Sequence, residues 1–147
     1  MPRPFHFPMQ RILDFRRQEE EQAQLALARA ENELQRIRSR ADQLQSELST
    51  AFQHAASASH LDSNQFWLWN RYQARLQLDL ESLRSEWHEL DQKVNTCRQE
   101  LIVKAKERKK LERLRDNQMA KHDFEELNKE QKDIDEMATL RFQNQSG

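Results

Sequence analysis

The sequence predicts an all-α fold: a long antiparallel two-helix coiled coil, with helix two longer than helix one. Three observations carry this. Of the 147 residues, the three prolines (Pro2, Pro4 and Pro8) precede Met9, and the one glycine is Gly147. Nothing between Met9 and Ser146 breaks a helix cheaply or supplies a routine left-handed turn. The chain is rich in Leu, Glu, Gln, Arg, Ala and Lys, all good helix formers. With 33% charged and only 36% hydrophobic residues, it has too little apolar content for a sizeable globular core. Finally, apolar residues recur in alternating steps of four and three along two stretches, the seam spacing of a left-handed coiled coil. The same composition excludes a sheet protein, whose hairpins need Gly, Asn-Gly or Pro, and any glycine-rich phosphate cradle. Collagen falls with it, and Cys97, the lone cysteine, excludes a disulfide scaffold.

The elements read in order as one coiled-coil domain over 1–147. Residues 1–7 form an extended segment. Pro8 suits a first helical turn, where its missing N–H has no partner in any case, so helix one spans 8–56. Its stripe is Ala23, Leu27, Ala30, Leu34, Ile37, Ala41, Leu44, Leu48, Ala51 and Ala55. The chain's one cluster of short polar residues, around Ser57–Asp62, is the turn over 57–62. Asp62 or Ser63 can cap the next helix, with Gln65 three residues after Asp62 as in a capping box. Helix two spans 63–141, and its stripe runs through Phe66, Trp69, Leu76, Leu80, Leu83, Trp87, Leu90, Val94, Cys97 and Leu101. Residues 142–147 are a tail.

A short turn makes the helices antiparallel neighbours. Pairing residues whose numbers add to 117 sets Ala51 against Phe66, Leu48 against Trp69 and Ala30 against Trp87, so that Phe66 and Trp87 fall opposite alanines; a slip of one heptad keeps the stripes aligned. Charged residues interrupt the seam toward the open end, at Arg16 and Glu20 on helix one and at Lys104 and Arg108 on helix two. Either that end frays into solvated charges, or it is shaped to be held by a partner. About thirty residues of helix two project beyond helix one, roughly 45 Å at the helical rise. They carry an apolar stripe of Ala120, Phe124, Leu127, Ile134 and Ala138. That stripe needs a partner, or else Phe5 and Phe7 folded back on its start.

Catalysis has little to stand on. None of the five histidines has a Glu three residues before it, and His88-Glu89 lacks the second histidine of a zincin helix. Cys97 lies on the seam, where a thiol packs as a small hydrophobe. No catalytic, cofactor-binding or metal-ligating residue is expected. Charge is the stronger signal. Lys104–Arg115 carries seven cations against two acids, and Asp123–Glu136 carries seven acids against two cations. The basic block alone reads as a solvated helix face or as a nucleic-acid contact. The acidic block beside it repels phosphates, whereas a protein of complementary pattern accounts for both blocks. After the turn, Trp67, Leu68 and Tyr72 lie off the seam near Phe52, as tip packing or as a docking patch. No apolar run approaches the ~20 residues of a membrane span. The N-terminus lacks the apolar core of a signal peptide, so a soluble cytoplasmic protein is expected.

The start of the chain, Phe5-His6-Phe7-Pro8-Met9-Gln10-Arg11-Ile12-Leu13-Asp14-Phe15-Arg16, resembles the N-terminal signature of FliJ proteins of the bacterial flagellar type III export apparatus. The end, Glu130-Gln131-Lys132-Asp133-Ile134-Asp135-Glu136-Met137-Ala138, resembles their C-terminal signature. The resemblance implies a non-catalytic stalk similar to the coiled coil of the rotary ATP synthase γ subunit. Such a stalk enters the ring of the flagellar export ATPase, links it to the membrane export gate and escorts export chaperones. It implies no cofactor, no small-molecule substrate and no nucleic acid, and a cytoplasmic location peripheral to the inner face of the cell membrane. It implies an ATPase-binding end drawn from Arg11, Arg16, Arg108, Lys109, Arg113, Phe124, Leu127 and Ile134. It also implies a gate-binding surface at Phe52, Trp67, Tyr72 and Leu76, matched by position at Tyr72 and Leu76, while Asp79 and Leu83 differ in type. The equivalent stalk of a virulence type III secretion system is the alternative, and a nucleic-acid-binding hairpin is a further one.

Overall fold

The computed structural model describes residues 3–57 and 62–146. They form a helical hairpin of two α-helices, α1 (Gln10–Ser57) and the longer α2 (Ser63–Ser146). No strand occurs among the described residues. The hairpin divides into two compact units where the sequence pattern alone reads as one domain. One unit is Glu21–Ile102, and the other joins Met1–Glu20 to Val103–Gly147.

In the Glu21–Ile102 unit the expected repeat is visible as burial. On α1 every residue of the Ala23–Ala55 stripe is buried or half-buried, and every other described residue from Glu21 to Ser57 is exposed. On α2, Leu76, Leu80, Leu83 and Val94 are buried, and Trp69, Trp87, Leu90, Cys97 and Leu101 are half-buried. Most of the expected turn, residues 58–61, lies outside the described residues. At its far side the capping box forms: Asp62 Oδ1 accepts from Gln65 N at 2.8 Å, and Gln65 Oε1 accepts from Asp62 N at 3.4 Å. Two donors left free at the helix start are thereby satisfied. At the end of α1, Ser57 Oγ donates to the His54 carbonyl at 3.0 Å.

The register is not the expected one. The contact of Phe52 with Trp69 and the ion pair of Glu31 with Arg98 bracket residue pairs whose numbers add to about 124. That is one heptad beyond 117. Ala30, with no exposed surface, therefore faces Val94 at 1% exposure, and Trp87 moves opposite Ile37. A slip of one heptad preserves the alternation of apolar positions, so the stripes could not choose between the two alignments. Matching large with small side chains led to the wrong one. The slip also explains Phe66, which is 55% exposed instead of seated on Ala51. In the observed register it lies opposite a position past Ser57, the last residue of α1.

In the other unit α1 starts at Gln10 instead of Pro8. Pro8 and Met9 form the preceding turn, with Gln10 N donating to the Phe7 carbonyl and Leu13 N to that of Met9. Leu13 has no exposed surface and Phe7 only 4%. The segment before the helix folds back on α2. His122 Nε2 lies 2.8 Å from the Arg3 carbonyl oxygen, which can only accept, so this nitrogen carries the proton. The Phe5 ring centroid is 5.7 Å from that of His122. The helix continues to Ser146, through the stretch expected to be a tail; Phe142 and its neighbours include no breaker.

The register has a direct test. Ala30→Leu should overpack its layer and destabilise the chain by about 1–3 kcal/mol. Val94→Ala should cost about 2 kcal/mol on its own. Combined with Ala30→Leu it should recover about 1 kcal/mol or more, because the two positions share a layer. Denaturant unfolding of the four species measures the coupling. Trp87→Ala in place of Val94→Ala should show none, and coupling at Trp87 instead of Val94 would restore the 117 alignment.

Candidate functional site

Three surfaces stand out from the seam. The first surrounds the start of α2. Phe66, Trp67, Leu68, Tyr72 and Leu78, with Phe52 of α1, are each between 46% and 62% exposed. Phe52 meets Trp69 edge-on at 5.7 Å, and Trp69 lies 6.3 Å from Tyr72. The Arg71 guanidinium sits 5.0 Å above the Trp67 ring, held by the ring's negative face. Clustered exposed aromatics of this kind exceed the scattered apolar residues of an ordinary surface. Leu76, expected in this surface, is buried on the seam. It supports the patch from within and offers no surface to a partner.

The second feature is the charged layer between Asp14–Glu20 of α1 and Lys104–Glu112 of α2. Far from fraying, these residues cross-pair. Glu19 accepts from Lys104 at 3.2 Å and from Arg16 at 3.1 Å. Arg16 also pairs with Glu107 at 2.9 Å. Arg108 bridges Glu20 and Glu112, and Arg17 reaches Glu112 at 3.4 Å and Asp14 at 3.8 Å. Burial works to raise the Glu19 carboxyl, but the hydrogen bonds from Lys104 and Arg16 outweigh it and hold the group below its ordinary range. The hydrogen bond to Glu20 raises the Arg108 guanidinium against its partial desolvation. Arg16 and Arg108, expected on the seam at the ATPase-binding end, are therefore already paired within the chain.

The third surface is a face of α2 beyond Val103. At 100° per residue, Lys106, Lys109, Arg113, Ala120, Phe124, Leu127, Ile134, Ala138 and Phe142 fall within an arc of about 80°. All are exposed. Met119, His122 and Glu126, which are half-buried, lie on roughly the opposite side. The N-terminal segment thus covers the inner side of α2 and leaves the apolar stripe open, so Phe5 and Phe7 do not shield it. Phe124, Leu127, Ile134 and Phe142 are 61–71% exposed. Lys106, Lys109, Lys110 and Arg113 line one shallow groove. Arg11 is exposed on α1, beside exposed Ile12 and Phe15.

Sequence reasoning missed Leu13, Ile12, Phe15 and Phe142. Leu13 was within reach, since the four-and-three steps of α1 run back from Ala23 through Glu20 and Arg16 to it. Phe142 continues the outer stripe and was lost with the assumed tail. Among the described residues no three His, Cys, Asp or Glu side chains gather to hold a metal ion. No helix among them is long and apolar enough to cross a membrane.

The model of the family described as Flagellar FliJ protein matches residues 5–147, essentially the whole chain. No curated protein and no solved structure matches it.

The depressed Glu19 carboxyl ties the charged layer to pH. Its contribution to stability is present above the ordinary carboxylate range and is lost as pH falls through that range, about 4.3 in a free Glu, toward the lower folded value. Glu19→Gln should therefore melt with a shallower acid dependence than the parent chain. Melting temperatures from neutral pH down into the acid range give the comparison; parallel curves would move the acid sensitivity to other carboxylates.

Proposed function

The chain belongs to the FliJ family of flagellar export proteins, and from that premise we propose that it is the non-catalytic stalk of the flagellar export ATPase. In this reading it enters the ATPase ring by the end that joins both termini, couples the ring to the export gate and escorts export chaperones, working at the cytoplasmic face of the membrane. The family's flagellar description favours this over the equivalent stalk of a virulence secretion system.

The observation that supports the reading best is the uncovered outer face of α2 from Lys106 to Phe142. A lone amphipathic helix does not bury its own stripe, and charges flanking that stripe steer a docking partner more than they add affinity. Within the ring-binding end, Arg11, Lys109 and Arg113 supply exposed cations, and Phe124, Leu127 and Ile134 supply apolar anchors. Arg16 and Arg108 serve as struts of the charged layer. At the start of α2, Phe52, Trp67 and Tyr72 form the gate-binding surface over Leu76. Its exposed aromatic rings are the residue types that dominate binding hot spots.

Deleting 127–147 separates function from folding. The cut keeps His122 and the contacts to Arg3 and Phe5, and the residues it removes from 127 to 145 are all exposed. Circular dichroism should show the remaining helices as stable as before. Stimulation of ATP hydrolysis by the cognate ATPase should be lost, measured as rate against added protein at low and moderate salt. Full stimulation by the shortened chain would reject the stalk-end assignment.

The aromatic patch is tested separately. Trp67→Ala with Tyr72→Ala should leave helicity nearly unchanged, since both are off the seam, and should weaken binding to the cytoplasmic region of the gate by about tenfold or more, as loss of aromatic hot spots does. A large loss of helix would make the two rings structural instead.

A further inference from the structure

The outer face of α2 has a property that its exposure alone does not explain. Its first half is cationic, with Lys106, Lys109 and Arg113 on the arc and Lys110 at its margin. Its second half is the apolar stripe, flanked on either side by Glu130 and Asp135. The segment Lys104–Arg115 carries a net +5 and Asp123–Glu136 a net −5, from seven charges of one sign against two of the other in each. Among the described residues, none of Lys106, Lys109, Lys110 and Arg113, and no acid from Asp123 to Glu136, takes part in an ion pair. The available i,i+4 partners Lys129 with Asp133 and Lys132 with Glu136 are unused. The four cations Lys106, Lys109, Lys110 and Arg113 and the acids of the second half thus stand free of ion pairs on one helix, on either side of Ala120.

We propose that this face is a self-association surface, through which two copies of the chain pair antiparallel about a two-fold axis at Ala120. The occupant follows from the charge pattern. In a parallel pair, basic would lie on basic and acidic on acidic, which repels at every step. In the antiparallel pair each basic half lies on the other copy's acidic, apolar half. Lys110 falls opposite Glu130 of the second copy, Arg113 opposite its Leu127, and Lys106 opposite its Ile134. The alkyl stems of Lys and Arg cover the apolar stripe while their heads reach the flanking carboxylates. The same patch serves both copies, as a two-fold interface requires, and two alanines at the axis let the helices approach closely. The paired stretch from Lys106 to Ile134 is about 42 Å long at 1.5 Å per residue. The N-terminal segment is on the other side of α2 and leaves this face clear.

Five of these residues, Lys109, Arg113, Phe124, Leu127 and Ile134, are also those proposed to enter the ATPase ring, so dimerisation and ring entry compete. The self-association stands apart from that reading: its failure appears in the mass of the free protein, whereas failure of the stalk reading appears in the ATPase rate.

The test is sedimentation equilibrium of the full chain with two charge-reversed variants, Lys109→Glu/Arg113→Glu and Glu130→Lys/Asp135→Lys. All four positions are exposed, and circular dichroism confirms the fold of each variant. The parent chain should dimerise reversibly, more weakly as salt screens the pairing. Each variant alone should dimerise at least about tenfold more weakly, because one of its blocks now repels. An equimolar mixture of the two should recover dimers, since the acids introduced at 109 and 113 of one lie opposite the lysines introduced at 130 and 135 of the other, and its Glu130 and Asp135 lie opposite the other's Lys109 and Arg113. A parent chain that stays monomeric at low salt would overturn the proposal. So would variants that dimerise as well as the parent, or a mixture that recovers nothing.

Discussion

Two helices share a single interface, and each can bury only one stripe along it. This geometric limit governs the rest of the molecule. A sheet or a bundle offers several inner faces, but here a residue is either on the one seam or in water. Only seven hydrophobic residues among the described residues are buried, and no polar residue is. Full burial of a Leu or Val contributes about 1.5–3 kcal/mol, and most seam positions are only half-covered. Cohesion therefore comes from the repetition of shallow layers and not from a deep core. Aromatic and apolar residues placed off the seam, such as Trp67, Leu78 and Phe124, stay solvent-facing however the chain adjusts.

The same limit explains what could be read from the sequence. Period and breakers are local properties, so the two helices, the Asp62–Gln65 cap and every seam position of α1 from Ala23 to Ala55 were legible. Register is not local. Sliding one helix by seven residues maps the stripe onto itself, and only the summed fit of all layers distinguishes the alternatives. Setting Phe66 and Trp87 against alanines favoured two layers, and the other layers fit either alignment. Phe7 was legible only as an alternative: it lies before α1, where no period applies, and the fold-back named for it is seen in the contacts of Arg3 and Phe5 with His122, on the inner side of α2. Of the expected surface residues, Trp67, Tyr72, Lys109, Arg113, Phe124, Leu127 and Ile134 are exposed. Leu76, Arg16 and Arg108 are engaged within the chain.

The charged layer shows how a polar seam can close. Exposed ion pairs contribute little singly, about 0–1 kcal/mol each. Here Arg16, Arg17, Lys104 and Arg108 each meet at least one carboxylate, and Glu19 and Glu112 each meet two cations. Pairing of this kind fixes which residues face each other, because a shift of one heptad would set Glu19 and Arg17 against Cys97 and Ala105, or against Leu111 and Met119, and leave their charges unpaired. It gives alignment where Leu and Ala give only attraction. Glu107 is the exception: its Oε2 is shielded from water and pairs with Arg16 at 2.9 Å, outside hydrogen-bond geometry.

The two sides of α2 beyond Val103 then differ in kind. On the inner side, cations meet acids supplied by α1, and Leu13 and Phe7 close the packing beside them. On the outer side, cations and acids are segregated along the axis, so that neither group can satisfy the other within one straight helix. A straight helix cannot bring Lys109 to Glu130, about 32 Å away along its axis. Mixing the two signs would have given a self-neutralised, soluble face of i,i+4 pairs. Segregating them yields a face that only another molecule can neutralise. Because the apolar stripe lies between the acidic flanks, that molecule must bring cations and apolar surface together. The second half of α2 selects its partners by this requirement, and the first half of the same face meets it.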